Sequence, residues 1–542
     1  MSSLSSFSDV TMRTPTLHDL AWMFSLLSLV VLVSVSGCTQ TQPAAEGTSD
    51  EQTSSSISSN ELSQTGARAS EEGVTMPLDR AVSLLDVDAP PISSDAVSSQ
   101  SFIDRVVADS TGTRVANLDA RVDSLLAQMT LEEKVGQMMQ LELGMATDKR
   151  SYPQPIDPEK LQRIVQDYHV GSILNVVDAA FTLDHWREIT TAVQAEAQET
   201  RLGIPVLYAI DAMHGANYTR EAILFPQTQG LAATWNVALA EEVGRITARD
   251  VRASGIPWNF APVLDVGRDP RWPRLYETLG EDAYLTTAMG LALIRGLQGD
   301  DLSASDQVAA CMKHFIGYSG SDSGRDRTPA QIPEIELREQ YLPPFRAAVE
   351  AGAASVMVNS GEVNGVPVHS SRHLLTDVLR GELGFEGLVV TDWLDIKKLV
   401  TLHNVAANER EATKMAIEAG IDMSMVPSDV SFFDHLTALV EDGEIPESRI
   451  DASVRRILRL KFALGLFDDP TRGLEHADEV GSDRDRRMAL QTARESVTLL
   501  RNTDDLLPLS DDQRVLVTGP TAHSMQSQIG RASCRERVFP VV

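Results

Sequence analysis

Gly387-Leu388-Val389-Val390-Thr391-Asp392-Trp393-Leu394-Asp395-Ile396 is the stretch that decides the fold. Leu388-Val389-Val390 is a short apolar run with the look of a buried strand, and a small residue, an acid and an indole follow it at once. In a barrel of parallel strands, the carboxyl ends of the strands carry the chemistry. A carboxylate placed there is costly to bury without a partner. Asp392 is therefore either a satisfied structural acid, such as a helix cap, or a working one.

Reading outward, the same pattern recurs. Strand-like runs lie at Val170–Val176, Ile204–Ile210, Trp258–Val266, Val308–His314, Ala354–Val358 and Ile421–Met425, with one more expected near Met139. Amphipathic stretches separate them: 184–200, 238–253, 284–297, 337–351 and 409–419. Thr130-Leu131-Glu132-Glu133 reads as a capping box at the first helix. Buried strands alternating with helices make parallel βαβ units, so the expected fold is an α/β, (β/α)8-type TIM barrel over 113–470. An open doubly wound sheet is the alternative architecture. It calls for a glycine-rich phosphate turn after the first strand, and the sequence has none there.

After a linker at 471–484, a second unit is expected to begin at 485. It has a helix, then Ser496-Val497-Thr498-Leu499-Leu500 and Val515-Leu516-Val517 as candidate strands of an α/β sandwich. The acidic composition ends at Gly530. Residues 531–542 read as a foreign, basic tail joined to an incomplete second unit; a naturally short C-terminus is the alternative.

At the other end, Leu20–Val35 is an apolar run of signal-peptide length, and Val35-Ser36-Gly37-Cys38 resembles a lipobox. The expectation is a lipoprotein signal over 1–37, lipidation of Cys38, and a Ser/Thr/acidic linker over 38–112. That linker is too poor in large apolar residues to offset its ordering entropy. Simple secretion is the alternative. The protein is then exported, in the envelope of a bacterium, and touches the membrane through a lipid anchor only.

Of the 542 residues, Lys and Arg supply 47 and Asp and Glu 77, a net charge of −30. That balance argues against nucleic acid or an anionic membrane surface as a partner. With three cysteines, Cys38, Cys311 and Cys534, neither a disulfide framework nor a cysteine-based zinc site is expected. No metal or cofactor is expected.

Four strand ends carry charged or aromatic clusters: Asp211-Ala212-Met213-His214-Gly215, Arg268-Asp269-Pro270-Arg271-Trp272-Pro273-Arg274, Lys313-His314-Phe315 and Asp392-Trp393. Each alone has a structural account. Gathered on one rim, they suit a polyhydroxylated neutral ligand. Asp211, Lys313 and His314 would hold hydroxyls by charge-assisted hydrogen bonds. Trp393 offers an apolar face to a sugar ring, and a carboxylate beside the anomeric carbon can attack it.

Together these motifs resemble glycoside hydrolase family 3, in its β-glucosidase and exo-β-glucanase branch, over 119–530. The resemblance implies a retaining, exo-acting enzyme that removes terminal β-D-glucosyl residues from an oligosaccharide or β-glucoside. It implies Asp392 as nucleophile and Asp211, Arg274, Lys313 and His314 as ligands of the terminal sugar, with Trp393 flanking it. Arg268 and Arg271 then look structural. Ser360 departs from a tyrosine that many members place in that turn.

The N-acetylglucosaminidase branch carries histidines where this chain has Tyr318 and Gly324, which ranks the glucosidase reading above it. A β-xylosidase and a non-catalytic sugar-binding lipoprotein are the remaining alternatives. A retaining glycosidase needs a second carboxyl roughly 5–5.5 Å from the first. The resemblance places that general acid/base in the second domain, outside this chain. Glu277, Glu362 and Asp326 are the candidates if it lies within.

Overall fold

The computed structural model describes residues 113–148, 151–176, 179–510 and 512–518. The expected signal, Cys38, the linker over 38–112, Cys534 and the 531–542 tail lie outside the described residues.

Eight parallel strands form one sheet: β1 Met139–Glu142, β2 Ser172–Leu174, β3 Leu207–Ile210, β4 Trp258–Asn259, β5 Ala309–Phe315, β6 Ser355–Val358, β7 Leu388–Val390 and β8 Ser424–Met425. Sequential strands are neighbours throughout, and β8 returns to pair with β1 through Met139↔Ser424. A parallel bridge between Val390 and Met423 joins β7 to the start of β8 and closes the ring. This is the (β/α)8 barrel that the alternating runs predict, including the strand near Met139.

Every residue of these strands is buried. That is why they read as continuous apolar runs rather than as alternating ones. Helices cover the outside, and side-chain caps start many of them: Thr130 with Glu133 in the reciprocal box, then Thr182, Asn236, Asp282 and Asn408. The helices Val237–Ala253 and Ala283–Gln298 touch through glycine. A Cβ on Gly296 would sit 2.1 Å from the carbonyl oxygen of Glu241, so no larger residue allows this approach.

The helix expected from 485 spans Asp483–Glu495, capped by Ser482. It is tied to the barrel by a buried triad. Arg249 Nη2 donates to Asp250 at 2.6 Å and to Asp485 at 2.7 Å, and all three side chains are buried. The two candidate strands that follow do not form: neither apolar stretch is assigned a strand, and Leu500 and Leu516 are 91% and 86% exposed. A strand needs a neighbour to take its backbone hydrogen bonds, and the described residues supply none there.

The triad yields a prediction. Arg249→Met leaves two buried carboxylates without their counter-ion, which costs about 3–5 kcal/mol. It is expected to lower the urea midpoint and to open 471–482 to limited proteolysis. An unchanged midpoint would show that the triad contributes nothing to docking this helix.

Candidate functional site

The barrel brings five of the sequence-predicted residues to its carboxyl-terminal rim. Asp211 follows β3, Arg274 lies in the loop after β4, Lys313 and His314 end β5, and Asp392 follows β7. Lys313 and His314 are adjacent, and side chains on a regular strand alternate faces. The register slips between Met312 and Phe315, so strict alternation is broken where both residues are needed.

Asp392 is the centre. Its residue is 8% exposed, so it is nearly but not wholly enclosed. Oδ2 accepts from Ser360 Oγ at 2.7 Å and from Arg327 Nη2 at 3.4 Å. Arg274 Nη1 stands 3.9 Å away and His314 Nε2 4.0 Å. Oδ1 accepts from the Trp393 backbone N–H at 2.5 Å. Burial works to raise this carboxyl, yet Arg327, His314, Arg274 and Lys398 together hold it well below the usual carboxylate range. It is ionised at neutral pH.

The neighbours are themselves fixed. Arg274 is clamped by Glu277, with Nη2 to Oε2 at 2.7 Å and Nε reaching both oxygens at 3.1 Å. Its Nη1 is the arm turned to Asp392. His314 Nδ1 lies 2.7 Å from Asp265 Oδ2, within hydrogen-bond distance. Burial pushes Asp265 up to about 8, against the pull of Arg274 and the His314 backbone N–H.

Asp211 forms the other half of the rim. Oδ1 accepts from Lys313 Nζ at 2.6 Å and Oδ2 from Asn175 Nδ2 at 2.9 Å. Lys313 is almost wholly buried, whereas the Asp211 side chain is 27% exposed. This pair thus presents carboxylate oxygen outward with a cation behind it. Trp393 is half-buried beside Asp392. Arg268 and Arg271 stand apart from the cluster, paired to Glu336 and Asp269 with exposed side chains.

Four contributors, Arg327, Asp395, Lys398 and His369, are marked by no motif in the sequence. Arg327 sits in the loop after β5 at a left-handed φ of 57°, and neither periodicity nor spacing points to it. Asp395 accepts from Ser360 Oγ and Lys398 Nζ, both at 2.5 Å. His369 Nε2 accepts from the Asp392 backbone N–H at 3.4 Å. Burial lowers His369 to about 4, so it is neutral and able to accept. Asp395 is visible in the sequence, one helical turn beyond Asp392, but a single acid at a helix start carries no signal of its own.

The carboxyls named as internal candidates for the acid are all engaged. Glu277 is held by Arg274, Glu362 accepts from His403 Nδ1 at 2.7 Å, and Asp326 accepts from Tyr318 Oη at 2.5 Å and from Arg327. Among the described residues, no group of three or more His, Cys, Asp or Glu is placed to hold a metal ion, and no helix is long and apolar enough to cross a membrane.

Residues 130–460 match the model of the glycosyl hydrolase family 3 N terminal domain. The chain is 46% identical to the lysosomal beta glucosidase of Dictyostelium discoideum over 434 residues, covering 76% of this chain and 52% of that protein. It is 35% identical to the periplasmic beta-glucosidase of Salmonella typhimurium, with the same two coverages. The crystal structure of an exo-1,3/1,4-beta-glucanase from a Pseudoalteromonas species superposes with a TM-score of 0.70 at 34% identity, over 77% of this chain and 52% of that one. The chain thus spans about half the length of the relatives that it matches.

Asp392 gives a direct test of the electrostatics. With aspartate carboxyls labelled by carbon-13 and the signal assigned through Asp392→Asn, the wild-type group is expected to show no titration from about pH 4 to 7. Arg327→Met removes a cation and raises the carboxyl, so a titration should enter that window. If it does not, Arg327 is not among the groups that hold the charge.

Proposed function

The chain belongs to glycoside hydrolase family 3, and from that premise we propose that it carries the catalytic barrel of a retaining β-glucosidase or exo-β-glucanase. The observation that carries this reading is Asp392, ionised and held among Arg274, His314 and Arg327 at the open end of the barrel. Asp392 attacks the anomeric carbon and forms a covalent glycosyl-enzyme, which water then releases. Asp211, with Lys313 behind it, accepts from sugar hydroxyls, and Arg274 and His314 donate to them. Trp393 gives the ring an apolar face.

The leaving oxygen must be protonated by another carboxyl. Among the described residues around Asp392, Asp395, Asp326, Glu277 and Asp211 are all bound to cations. Asp265, the one raised toward neutral pH, is buried behind His314. We place the general acid/base outside this set. The substrate is a β-glucoside or an oligosaccharide with a terminal glucose. The protein is exported and anchored by a lipid on Cys38, a reading that rests on the lipobox-like sequence alone.

A general acid contributes about 10²–10⁴-fold to such a reaction, most where the leaving group is poor. The 542-residue protein is therefore expected to cleave activated aryl β-glucosides slowly and cellobiose hardly at all. Asp392→Gly should lower the aryl rate by about three orders of magnitude or more. Proton NMR should show the β anomer as the first-formed sugar. A variant within tenfold of wild type would remove Asp392 from its role. Brisk cellobiose hydrolysis would show that the acid lies within these 542 residues.

Cys38→Ala is expected to move the protein from the membrane fraction to the soluble one in a bacterial host. Unchanged fractionation would show that the Leu20–Val35 run, not a lipid, holds it.

A further inference from the structure

One hydroxyl in the site is shared by two acids. Ser360 Oγ lies 2.7 Å from Asp392 Oδ2 and 2.5 Å from Asp395 Oδ2. All three side chains are buried. Ser360 has a single hydrogen to donate, so it serves one carboxylate at a time. The two acceptors differ in their other partners. Asp395 also holds Lys398 Nζ at 2.5 Å. On Asp392, Ser360 is the shortest contact to Oδ2, and the flanking nitrogens of Arg327, Arg274 and His314 are at 3.4 Å and beyond.

We propose that Ser360 is a positioning residue whose hydroxyl follows the charge of Asp392. It donates to Asp392 while that carboxylate is free and turns to Asp395 once Asp392 has been esterified by the sugar. The inference rests on the reading of Asp392 as nucleophile. The hydrogen stays on Oγ throughout, and only its direction changes. When Asp392 attacks, its oxygen-to-carbon bond forms, the bond from the anomeric carbon to the leaving oxygen breaks, and the electron pair departs with the leaving group. The ester that results has no net charge on Asp392, whereas Asp395 remains a strong acceptor at 2.5 Å. When water displaces the sugar, the returning carboxylate regains its donor.

Two consequences separate this role from simple packing. Without the hydroxyl, two carboxylates face each other across an unfilled gap. The free Asp392 is then harder to keep ionised, because like charges raise a carboxyl and a lost donor does the same. Asp392 also becomes a poorer leaving group in the second step. The groups that face it otherwise stay in place. These are Arg274 from the loop after β4, His314 on β5 with Asp265 of the segment after β4 behind it, Arg327 with Asp326 and Tyr318 from the loop after β5, His369 after β6, and Asp395 with Lys398 after β7.

The experiment uses a dinitrophenyl deoxyfluoro-β-glucoside, whose leaving group needs no protonation. Labelling and its reversal are followed by intact-protein mass spectrometry, and the labelled residue by peptide mapping. In wild type, label on Asp392 with a rate that is flat from about pH 4 to 7 is expected. In Ser360→Ala the labelling rate should fall on the acid side of that window. Reversal of the label should slow about tenfold, the equivalent of one pKa unit of lost charge stabilisation. Ser360→Thr, which keeps the hydroxyl, should restore both.

Wild type that takes no label, or takes it elsewhere, overturns the nucleophile reading and this inference with it. Wild type labelled on Asp392, with Ser360→Ala unchanged in both profile and reversal, overturns this inference alone. So does Ser360→Thr behaving as Ser360→Ala does. Circular dichroism checks that the variants are folded; if Ser360→Ala is not, Ser360→Cys, whose thiol is a weak donor, should show both changes in its place.

Discussion

The site depends on keeping one carboxylate charged where water has almost gone. Removing an ion of this size from water costs several kcal/mol even after the protein relaxes. At an effective dielectric of about 20, unit charges about 4 Å apart attract by about 4 kcal/mol. Arg327, Arg274 and His314 lie between 3.4 and 4.0 Å from Asp392 Oδ2. Two permanent guanidinium charges at those distances suffice to reverse the burial cost. Each guanidinium is held in turn by another acid, Arg274 by Glu277 and Arg327 by Asp326. The charges alternate outward, so the depressed pKa of Asp392 belongs to a network rather than to one neighbour.

Geometry follows from the same network. The contact from Ser360 fixes Oδ2 and the Trp393 N–H fixes Oδ1, so the carboxylate plane has little freedom. Leu394, at a left-handed φ of 61°, turns the chain straight from β7 into the Asp395–Thr401 helix. That turn brings Asp395 back under Asp392, so the two acids three residues apart meet at a common hydroxyl. The strand supplies position and the following helix supplies the support.

The sequence made the barrel legible because its strands are buried on both faces and so stand out as short apolar runs between amphipathic helices. It also made most of the rim legible, since Asp211, Lys313-His314 and Asp392 sit at strand ends. Arg327 was not legible: it lies in an irregular loop, and its closeness to Asp392 is a product of barrel closure across 65 residues of chain. Ser360 reads in the sequence only as a departure from a pattern, and its link to two acids needed coordinates. The 497–500 and 515–517 runs have strand composition, but composition cannot provide the neighbouring strand. In contrast, the Asp483–Glu495 helix satisfies its own backbone, and Arg249, a Ser482 cap and the packing of Met488 and Ala489 against the core settle it on the barrel.

Asp422 shows why residue type and acidity do not by themselves mark a site. It too is a buried carboxylate among guanidiniums: burial would raise it, and Arg456, Arg380 and Arg449 keep it low. Arg380 donates to it at 2.7 Å, Ser453 at 2.8 Å and the Val389 N–H at 3.0 Å. Its environment is richer in donors than that of Asp392, but it leads into β8, at the amino-terminal end of the barrel, and has no exposed surface. There a fixed charge serves stability. Asp392 follows β7 at the opposite end, where its nearest cations stop at 3.4 Å or more and a small part of its surface stays open. A reacting carboxylate needs that incomplete satisfaction, because an oxygen whose lone pairs are all taken has nothing left with which to attack. The strand end supplies the opening, and the cations supply enough charge to hold the ion without closing around it.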